Sequence, residues 1–126
     1  MIRHLTDCAV LNTGARMPWL GLGVYQLKDG GEVESAIHHA LAAGYRSIDT
    51  ATIYGNEAGV GRALRDSGLP RREIFLTTKV WNTDQRAGRV REAFEESLAR
   101  LGTDYVDLYL VHWPVAGRYR ATWEVL

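Results

Sequence analysis

The stretch that decides the fold is GYRSIDTATIYGNE, residues 44–57. Residues 45–51 of this stretch are predicted to form a strand, which carries Asp49 near its end. Tyr54 follows five residues after Asp49, close enough for the connecting loop to fold back over the strand end. A carboxylate and a phenol are therefore expected at one edge of a sheet.

Two later stretches have the same design. FLTTK, residues 75–79, ends in Lys79, and LVHWP, residues 110–114, contains His112. The carboxyl ends of parallel strands converge on one edge of a sheet. We therefore expect Asp49, Lys79 and His112 within about one strand spacing, roughly 5 Å, of their neighbours.

The rest of the chain predicts alternating strands and helices. Residues 8–11 and 17–22 flank Gly14 and predict a hairpin. Further strands are expected over residues 23–26 (a strand or a loop), 45–51, 74–79 and 106–113. Helices are expected over residues 33–44 and 57–67, from Thr83 or Asp84 to Gly102, and from Arg120 onwards. Asn56 is the expected N-cap of the second helix, and its Gly59 and Gly61 are expected to allow close packing on a strand.

Strands that alternate with helices indicate an α/β fold with a parallel sheet. Two architectures fit this order: an open doubly wound sheet and a (β/α)₈ barrel. Gly21-Leu22-Gly23 lacks the third glycine of a dinucleotide-binding fingerprint. Polar residues end several different strands instead, which is typical of a barrel active site. No linker or shift in composition divides residues 1–126, so one domain is expected.

Composition excludes several classes of function. The 15 basic and 15 acidic side chains cancel, so no nucleic-acid partner is expected. The single cysteine, Cys8, cannot form an internal disulfide, and no signal-peptide pattern or membrane span is present. We therefore expect a cytoplasmic protein with no membrane partner. The pattern of histidines and cysteines indicates no metal site.

The four polar groups form a recognisable chemical set. A tyrosine keeps its proton at neutral pH, and a nearby ammonium group stabilises the phenolate that forms when the proton leaves. Lys79 can act in this way, with Asp49 keeping it charged, while Tyr54 donates a proton to a carbonyl oxygen and His112 orients the substrate. The set supplies no electrons, so a carbonyl reduced by it needs a hydride from a bound cofactor, most simply a nicotinamide.

Each residue also has a structural interpretation. Asp49 and Lys79 can form a structural ion pair, Tyr54 can lie at a helix start, and His112 can be a satisfied core residue. The functional interpretation depends on the four groups converging at one edge. Tyr25, Trp81 and Trp113 are either walls of a substrate pocket or packing beneath loops.

These motifs together resemble the aldo-keto reductase family. The resemblance is carried by four stretches: MPWLGLGVY (17–25), GYRSIDTA with YGNE (44–57), TKVW (78–81) and DLYLVHWP (107–114). It extends over nearly the whole chain after Leu11, and in detail the chain is similar to the 2,5-diketo-D-gluconate reductase subgroup.

The resemblance implies a (β/α)₈ barrel that reduces aldehydes and ketones with NADPH, without metal or flavin. It implies that Tyr54 is the proton donor, assisted by Lys79 and Asp49, and that His112 orients a small carbonyl substrate. The implied substrate residues are Tyr25, Trp81, His112 and Trp113. The implied cofactor residues are Gly23, Val24, Tyr25 and Asp49.

The length of the chain restricts this expectation. A barrel of this kind needs about 250 residues, so 126 residues are expected to form the amino-terminal hairpin and about four βα units. Such a part exposes sheet edges that favour self-association, and it is expected to be inactive and poorly stable alone. The alternatives are a non-enzymatic barrel module that binds a partner or itself through its open edge, and a fragment without function.

Overall fold

The computed structural model describes residues 4–126. Residues 1–3, which belong to the stretch without a signal-peptide pattern, lie outside the described residues. The strands are β1 (Cys8–Val10), β2 (Arg16–Pro18), β3 (Leu22–Gly23), β4 (Ser47–Asp49), β5 (Phe75–Val80) and β6 (Leu108–Val111). The helices are α1 (Gly31–Ala42), α2 (Glu57–Asp66), α3 (Asn82–Ala87), α4 (Val90–Leu101) and α5 (Tyr119–Val125). Two 3₁₀ turns cover Thr52–Tyr54 and Arg71–Glu73.

The sheets confirm the predicted hairpin and the predicted parallel order. β1 and β2 are antiparallel, with Ala9 opposite Met17. The other four strands form one parallel sheet in the order β3-β4-β5-β6. Several strands are shorter than predicted, because ladder pairing ends before the apolar runs do. The carboxyl ends of β3 to β6 consequently lie along one edge.

The core lies between this sheet and the helices. Ile48 of β4 and Leu76 of β5 are ladder partners, and both are fully buried. Val33 and Ile37 of α1 and Val60 of α2 pack in the same cluster. Burial of a side chain of this size stabilises the fold by about 1.5–3 kcal/mol, so the core fixes the strands whose ends carry the polar groups.

The single helix expected from Thr83 or Asp84 to Gly102 is wrong. The structure has two helices, α3 and α4, and the chain breaks at Gly88, where φ is +71°. Glycine adopts this left-handed conformation without strain, and the Gly88 amide donates to the Gln85 carbonyl oxygen at 3.3 Å as α3 ends. The periodic apolar face of the predicted helix belongs to α4 alone.

The expectation that Gly59 and Gly61 pack on a strand is also wrong. A Cβ at Gly59 would overlap Val33 of α1, and a Cβ at Gly61 would overlap the backbone of Leu101 at the end of α4. The two glycines therefore allow α2 to approach two helices. At Gly61 the neighbouring atoms are backbone, which cannot rotate away as a side chain can.

We predict that Gly61→Ala destabilises the protein by about 1–3 kcal/mol, the usual cost of overpacking, although alanine favours helices by about 1 kcal/mol over glycine. Urea unfolding measures the change. Gly31→Ala is the matched control, because Gly31 also lies in a helix but has no atom within 4 Å of an added Cβ. A Gly61→Ala variant as stable as Gly31→Ala would contradict the close contact.

Candidate active site

The four predicted polar residues meet at the carboxyl edge of the parallel sheet. Asp49 ends β4, Lys79 lies next to the end of β5, and His112 directly follows β6. Tyr54 ends the 3₁₀ turn that follows β4. The parallel order places these elements side by side, so residues separated by 63 positions (112 − 49) in the sequence become neighbours.

Lys79 and Asp49 form an ion pair at this edge. Lys79 Nζ donates to Asp49 Oδ1 at 2.5 Å and to the Thr50 carbonyl oxygen at 2.9 Å. The Lys79 side chain is 14% exposed and the Asp49 side chain 39% exposed. Two acceptors from β4 and its continuation therefore hold the ammonium group, which needs them because it lies mostly out of water.

Tyr54 lies beside this ammonium group. Lys79 Nζ is 5.1 Å from the centroid of the Tyr54 ring. The His112 ring stands edge-on to the Tyr54 ring at a centroid distance of 5.7 Å, and the Tyr25 ring lies 5.0 Å away at an angle of 48°. The phenol is thus bordered by a cation, an imidazole and a second phenol, each from a different strand end.

His112 is held by backbone and by aromatic contacts. Its amide donates to the Val80 carbonyl oxygen at 3.2 Å, which continues the pairing of β5 and β6. Burial lowers the pKa of His112 below its usual value of 6.5, the positive charge of Lys79 lowers it further, and Asp49 opposes both effects. The neutral imidazole is therefore favoured at neutral pH, and in this form one ring nitrogen carries the only N–H donor.

We predict a pH dependence of stability from this lowered pKa. An unfolded histidine takes up its proton near pH 6.5, before the folded one does, so His112 costs stability as the pH falls from about 6.5 to its folded pKa. Urea unfolding at about pH 7.5 and pH 5.0 should show that native protein loses more stability than His112→Gln does. The other histidines are common to both proteins. Equal losses would contradict the lowered pKa.

The predicted aromatic walls lie against these groups. The Trp81 ring is edge-on to the His112 ring, with 5.0 Å between the ring centroids. The Trp113 ring is nearly parallel to the same His112 ring, at an angle of 8° and a centroid distance of 6.5 Å. Trp113 and Tyr25 are exposed. The structure therefore brings Tyr25, Trp81 and Trp113 to the same edge as the polar groups.

The residues predicted to bind a cofactor differ in how much surface they expose at this edge of the sheet. Gly23 is the ladder partner of Asp49, and a Cβ there would meet no atom within 4 Å, so open space adjoins its backbone. The Val24 side chain is fully buried in the core, and its amide donates to the Asp49 carbonyl oxygen at 3.0 Å. Val24 therefore supports the loop and presents no side chain at the edge.

The sequence interpretation missed the role of Asn56. Asn56 occupies the predicted N-cap position of α2, although its side chain makes no capping hydrogen bond to the helix. The fully buried amide accepts a hydrogen bond from Thr50 Oγ1 at 2.8 Å. It donates to the carbonyl oxygens of Val24 and Leu27, both at 2.9 Å. Asn56 thus fastens the loop that carries Tyr25 to the end of β4.

Glu57 is a second residue that the sequence interpretation missed. It is 1% exposed, and its carboxylate accepts from Thr78 Oγ1 at 2.6 Å, Ser97 Oγ at 3.3 Å and Arg100 Nε at 2.7 Å. A buried carboxylate is retained only with such partners. Glu57 therefore joins α2 to α4 and to the strand that carries Lys79. The signal available in the sequence was a charged residue next to Asn56 at the start of an apolar helix.

Residues 4–126 hold no group of three His, Cys, Asp or Glu side chains placed to bind a metal ion. Within the same range, every helix is too short or too polar to cross a membrane.

The chain is similar in sequence to proteins named as reductases. The chain is 50% identical, over its whole length, to glyoxal reductase of Bacillus subtilis, of which it spans 46%. Over 83% of its length it is 58% identical to methylglyoxal reductase DkgA of Salmonella typhimurium, of which that match covers 37%. The chain thus spans less than half the length of each of these relatives.

Solved structures give the same result. An aldo/keto reductase from Brucella melitensis matches 94% of this chain with a TM-score of 0.89 and 53% identity, over 47% of its own length. A structure described as a putative 2,5-diketo-D-gluconic acid reductase B matches 89% with a TM-score of 0.81 and 46% identity, over 40% of its length. A Bombyx mori aldo-keto reductase in complex with NADP matches 97% with a TM-score of 0.86 and 36% identity, over 46% of its length.

These matches confirm the predicted fold and the predicted resemblance. The chain, which contains the hairpin and the units β3-α1, β4-α2, β5-α4 and β6-α5, matches about half of each of these barrels. The sequence profile described as "Aldo/keto reductase family" matches residues 19–126. That range contains all four polar residues of the site. The chain belongs to the aldo/keto reductase family.

Proposed function

We propose that the protein carrying this chain reduces small aldehydes and ketones to alcohols, with NADPH as hydride source and Tyr54 as proton donor. The observation that carries the proposal is the position of the Tyr54 ring, 5.1 Å from Lys79 Nζ and 5.7 Å from the His112 ring. The glyoxal and methylglyoxal reductases among the similar proteins support a small carbonyl substrate.

Tyr54 donates its hydroxyl proton to the carbonyl oxygen as a hydride adds to the carbonyl carbon. The C=O π bond is replaced by a C–H and an O–H bond, and the two electrons arrive with the hydride. The ammonium group of Lys79 stabilises the phenolate that remains. Asp49 holds this ammonium group beside the ring through the 2.5 Å contact. Water then returns a proton to Tyr54.

His112 binds and orients the substrate oxygen. Its lowered pKa keeps the ring neutral, so it offers one N–H donor and does not add a second positive charge beside Lys79. Tyr25, Trp81 and Trp113 provide apolar surface on which the substrate carbon chain packs. Their contacts with Tyr54 and His112 confine the carbonyl to the side where the proton is available.

The residues at the edge fit a nicotinamide nucleotide. NADPH, when bound, supplies the hydride. Gly23 leaves open space beside its backbone, the Tyr25 ring is 65% exposed, and the Asp49 carboxylate is partly exposed next to the ion pair. A flat ring can pack on Tyr25, and a ribose hydroxyl can donate to Asp49. The Bombyx mori structure in complex with NADP supports this choice of cofactor, and the reaction needs neither metal nor flavin.

The proposal is tested with the protein that carries this chain, purified and supplied with NADPH. We expect methylglyoxal and glyoxal to cause oxidation of NADPH, followed by its absorbance, and the alcohol product to accumulate in equal amount. Binding of NADPH is measured separately by its fluorescence. NADPH that binds but is not oxidised by any small aldehyde would overturn the proposal. Self-association through exposed sheet edges stays a prediction for the 126-residue chain, and sedimentation of that chain tests it.

A further inference from the structure

The backbone hydrogen bonding between β4 and β5 ends at the Thr77 carbonyl, two residues before the Lys79 carbonyl. The Thr50 amide donates to the Thr77 carbonyl oxygen at 2.9 Å, the last such bond between these strands. In a strand, alternate carbonyl groups point to the same side. The Lys79 carbonyl, two residues after Thr77, therefore also points towards β4, at a level where the chain has already turned away.

The Thr52 hydroxyl occupies the place of the missing amide. Thr52 Oγ1 donates to the Lys79 carbonyl oxygen at 3.0 Å. Thr52 also begins the 3₁₀ turn that carries Tyr54. Within that turn the Tyr54 amide donates to the Ala51 carbonyl oxygen at 3.0 Å, and the Gly55 amide donates to the Thr52 carbonyl oxygen at 3.3 Å. One hydroxyl thus joins the turn of the proton donor to the backbone of the lysine.

Lys79 is consequently held at both ends by one short segment. Asp49 and the Thr50 carbonyl bind its ammonium group, and Thr52 binds its carbonyl. The Tyr54 ring then follows at 5.1 Å from Nζ. Without the Thr52 bond, the turn between Thr50 and Tyr54 would lose its direct hydrogen bond to β5.

Hydrogen-bonded side chains connect the Thr52 hydroxyl to α4. Thr52 gives its one proton to the Lys79 carbonyl, so its oxygen can only accept from the Ser97 hydroxyl at 3.3 Å, and Ser97 shares its one proton between Thr52 Oγ1 and Glu57 Oε2, which is also at 3.3 Å. Ser97 is fully buried, and its oxygen also accepts from Arg100 Nη2 at 3.1 Å. Glu57 binds both Ser97 and Arg100. The position of the Thr52 oxygen is therefore fixed by groups outside the turn.

We propose that Thr52 is a positioning residue for proton transfer: its hydroxyl sets the distance between Tyr54 and Lys79 by tying the 3₁₀ turn to the Lys79 carbonyl. The inference rests on the proposed function, because it concerns the proton donor of that reaction. Thr52 touches neither the substrate nor the cofactor in this scheme, so its effect falls on the chemical step and leaves substrate binding unchanged.

The test compares Thr52→Val with Thr52→Ser in the protein that carries this chain. Valine keeps the branched shape and removes the hydroxyl, whereas serine keeps the hydroxyl and removes a methyl group. We expect Thr52→Val to lower kcat by about tenfold, the equivalent of one hydrogen bond, with KM for methylglyoxal changed by less than about twofold. Thr52→Ser should retain kcat within about threefold of the native value. Thr52→Ala, which only removes atoms, makes the same comparison if the valine variant does not fold.

A second measurement needs no activity. Hydrogen exchange of the Tyr54 and Gly55 amides should be at least about tenfold faster in Thr52→Val and native-like in Thr52→Ser. Unchanged kcat and exchange in Thr52→Val would overturn the inference, and so would equal losses in the valine and serine variants. If the native protein reduces no carbonyl compound, the proposed function fails, and the exchange rates still decide whether Thr52 holds the turn.

Discussion

The Tyr54→Phe variant of the protein that carries this chain is expected to lose carbonyl reduction by about 10²–10⁴-fold, the contribution that a positioned acid typically makes. Phenylalanine keeps the ring that contacts Tyr25 and His112 at 5.0 and 5.7 Å. Only the hydroxyl is removed. Without it, the developing negative charge on the substrate oxygen has no proton donor beside Lys79. The assay measures kcat and kcat/KM with methylglyoxal.

Two further measurements separate chemistry from folding in this variant. The midpoint of urea unfolding and the dissociation constant of NADPH should stay close to native, because ring packing is retained. Tyr105→Phe is the matched control, because it also removes one tyrosine hydroxyl. The Tyr105 ring lies under the Arg71 guanidinium at 4.1 Å, before the amino end of β6 and not at the carboxyl edge of the sheet. The control should keep full activity. A Tyr54→Phe enzyme within about tenfold of native would rule out Tyr54 as the proton donor.

Glu57→Gln is expected to lower the free energy of unfolding by about 2–3 kcal/mol. A carboxylate accepts from Thr78, Ser97 and Arg100 together, whereas an amide turns an N–H₂ group towards one of these donors. Hydrogen bonds to charged groups contribute about 1.5–3 kcal/mol, and breaking a buried ion pair costs about 3–5 kcal/mol. We expect less than the full cost because the Arg100 side chain is 38% exposed, so water recovers part of it. Urea unfolding measures the change.

Glu96→Gln is the control for this change. Glu96 lies on the same helix as Arg100, 3.9 Å from Arg100 Nη1 and 2.6 Å from Arg89 Nη2, but its side chain is 53% exposed. Exposed pairs of this kind contribute about 0–1 kcal/mol. Both variants remove one carboxylate that pairs with Arg100. The difference between them therefore measures the effect of burying that carboxylate. Equal effects of the two substitutions would show that the buried network does not stabilise the fold.

The positions of Asp49, Lys79 and His112 were predictable because each depends on local pattern and one general rule. Each predicted strand ends at or near its ionisable residue, and parallel strands gather their carboxyl ends at one edge. The structure confirms that Asp49, Tyr54, Lys79 and His112 come together there. Their chemical roles stay predictions until the substitutions described above are measured.

The polar contacts behind the site were not predictable in the same way. Asn56 and Glu57 look like a helix start in the sequence, but their partners lie up to 43 residues away, as between Glu57 and Arg100. The side chains are directed by the tertiary fold and not by the local pattern. Gly88 is a similar case: the regular apolar spacing of α4 was extended back to Thr83 or Asp84, which concealed the break that the backbone conformation at Gly88 reveals.

The fastening of the segment between Thr50 and Asn56 has a consequence for protein engineering. Its two ends are joined by the 2.8 Å bond between Thr50 Oγ1 and Asn56 Oδ1, and its middle is tied to β5 through Thr52. An inserted or deleted residue would break at least one of these attachments and displace the phenol. The length of this loop is therefore fixed, while the exposed surface around Trp113 can accept changes of size and sequence. Libraries that aim to alter the proposed aldehyde substrates should vary that surface and keep the loop unchanged.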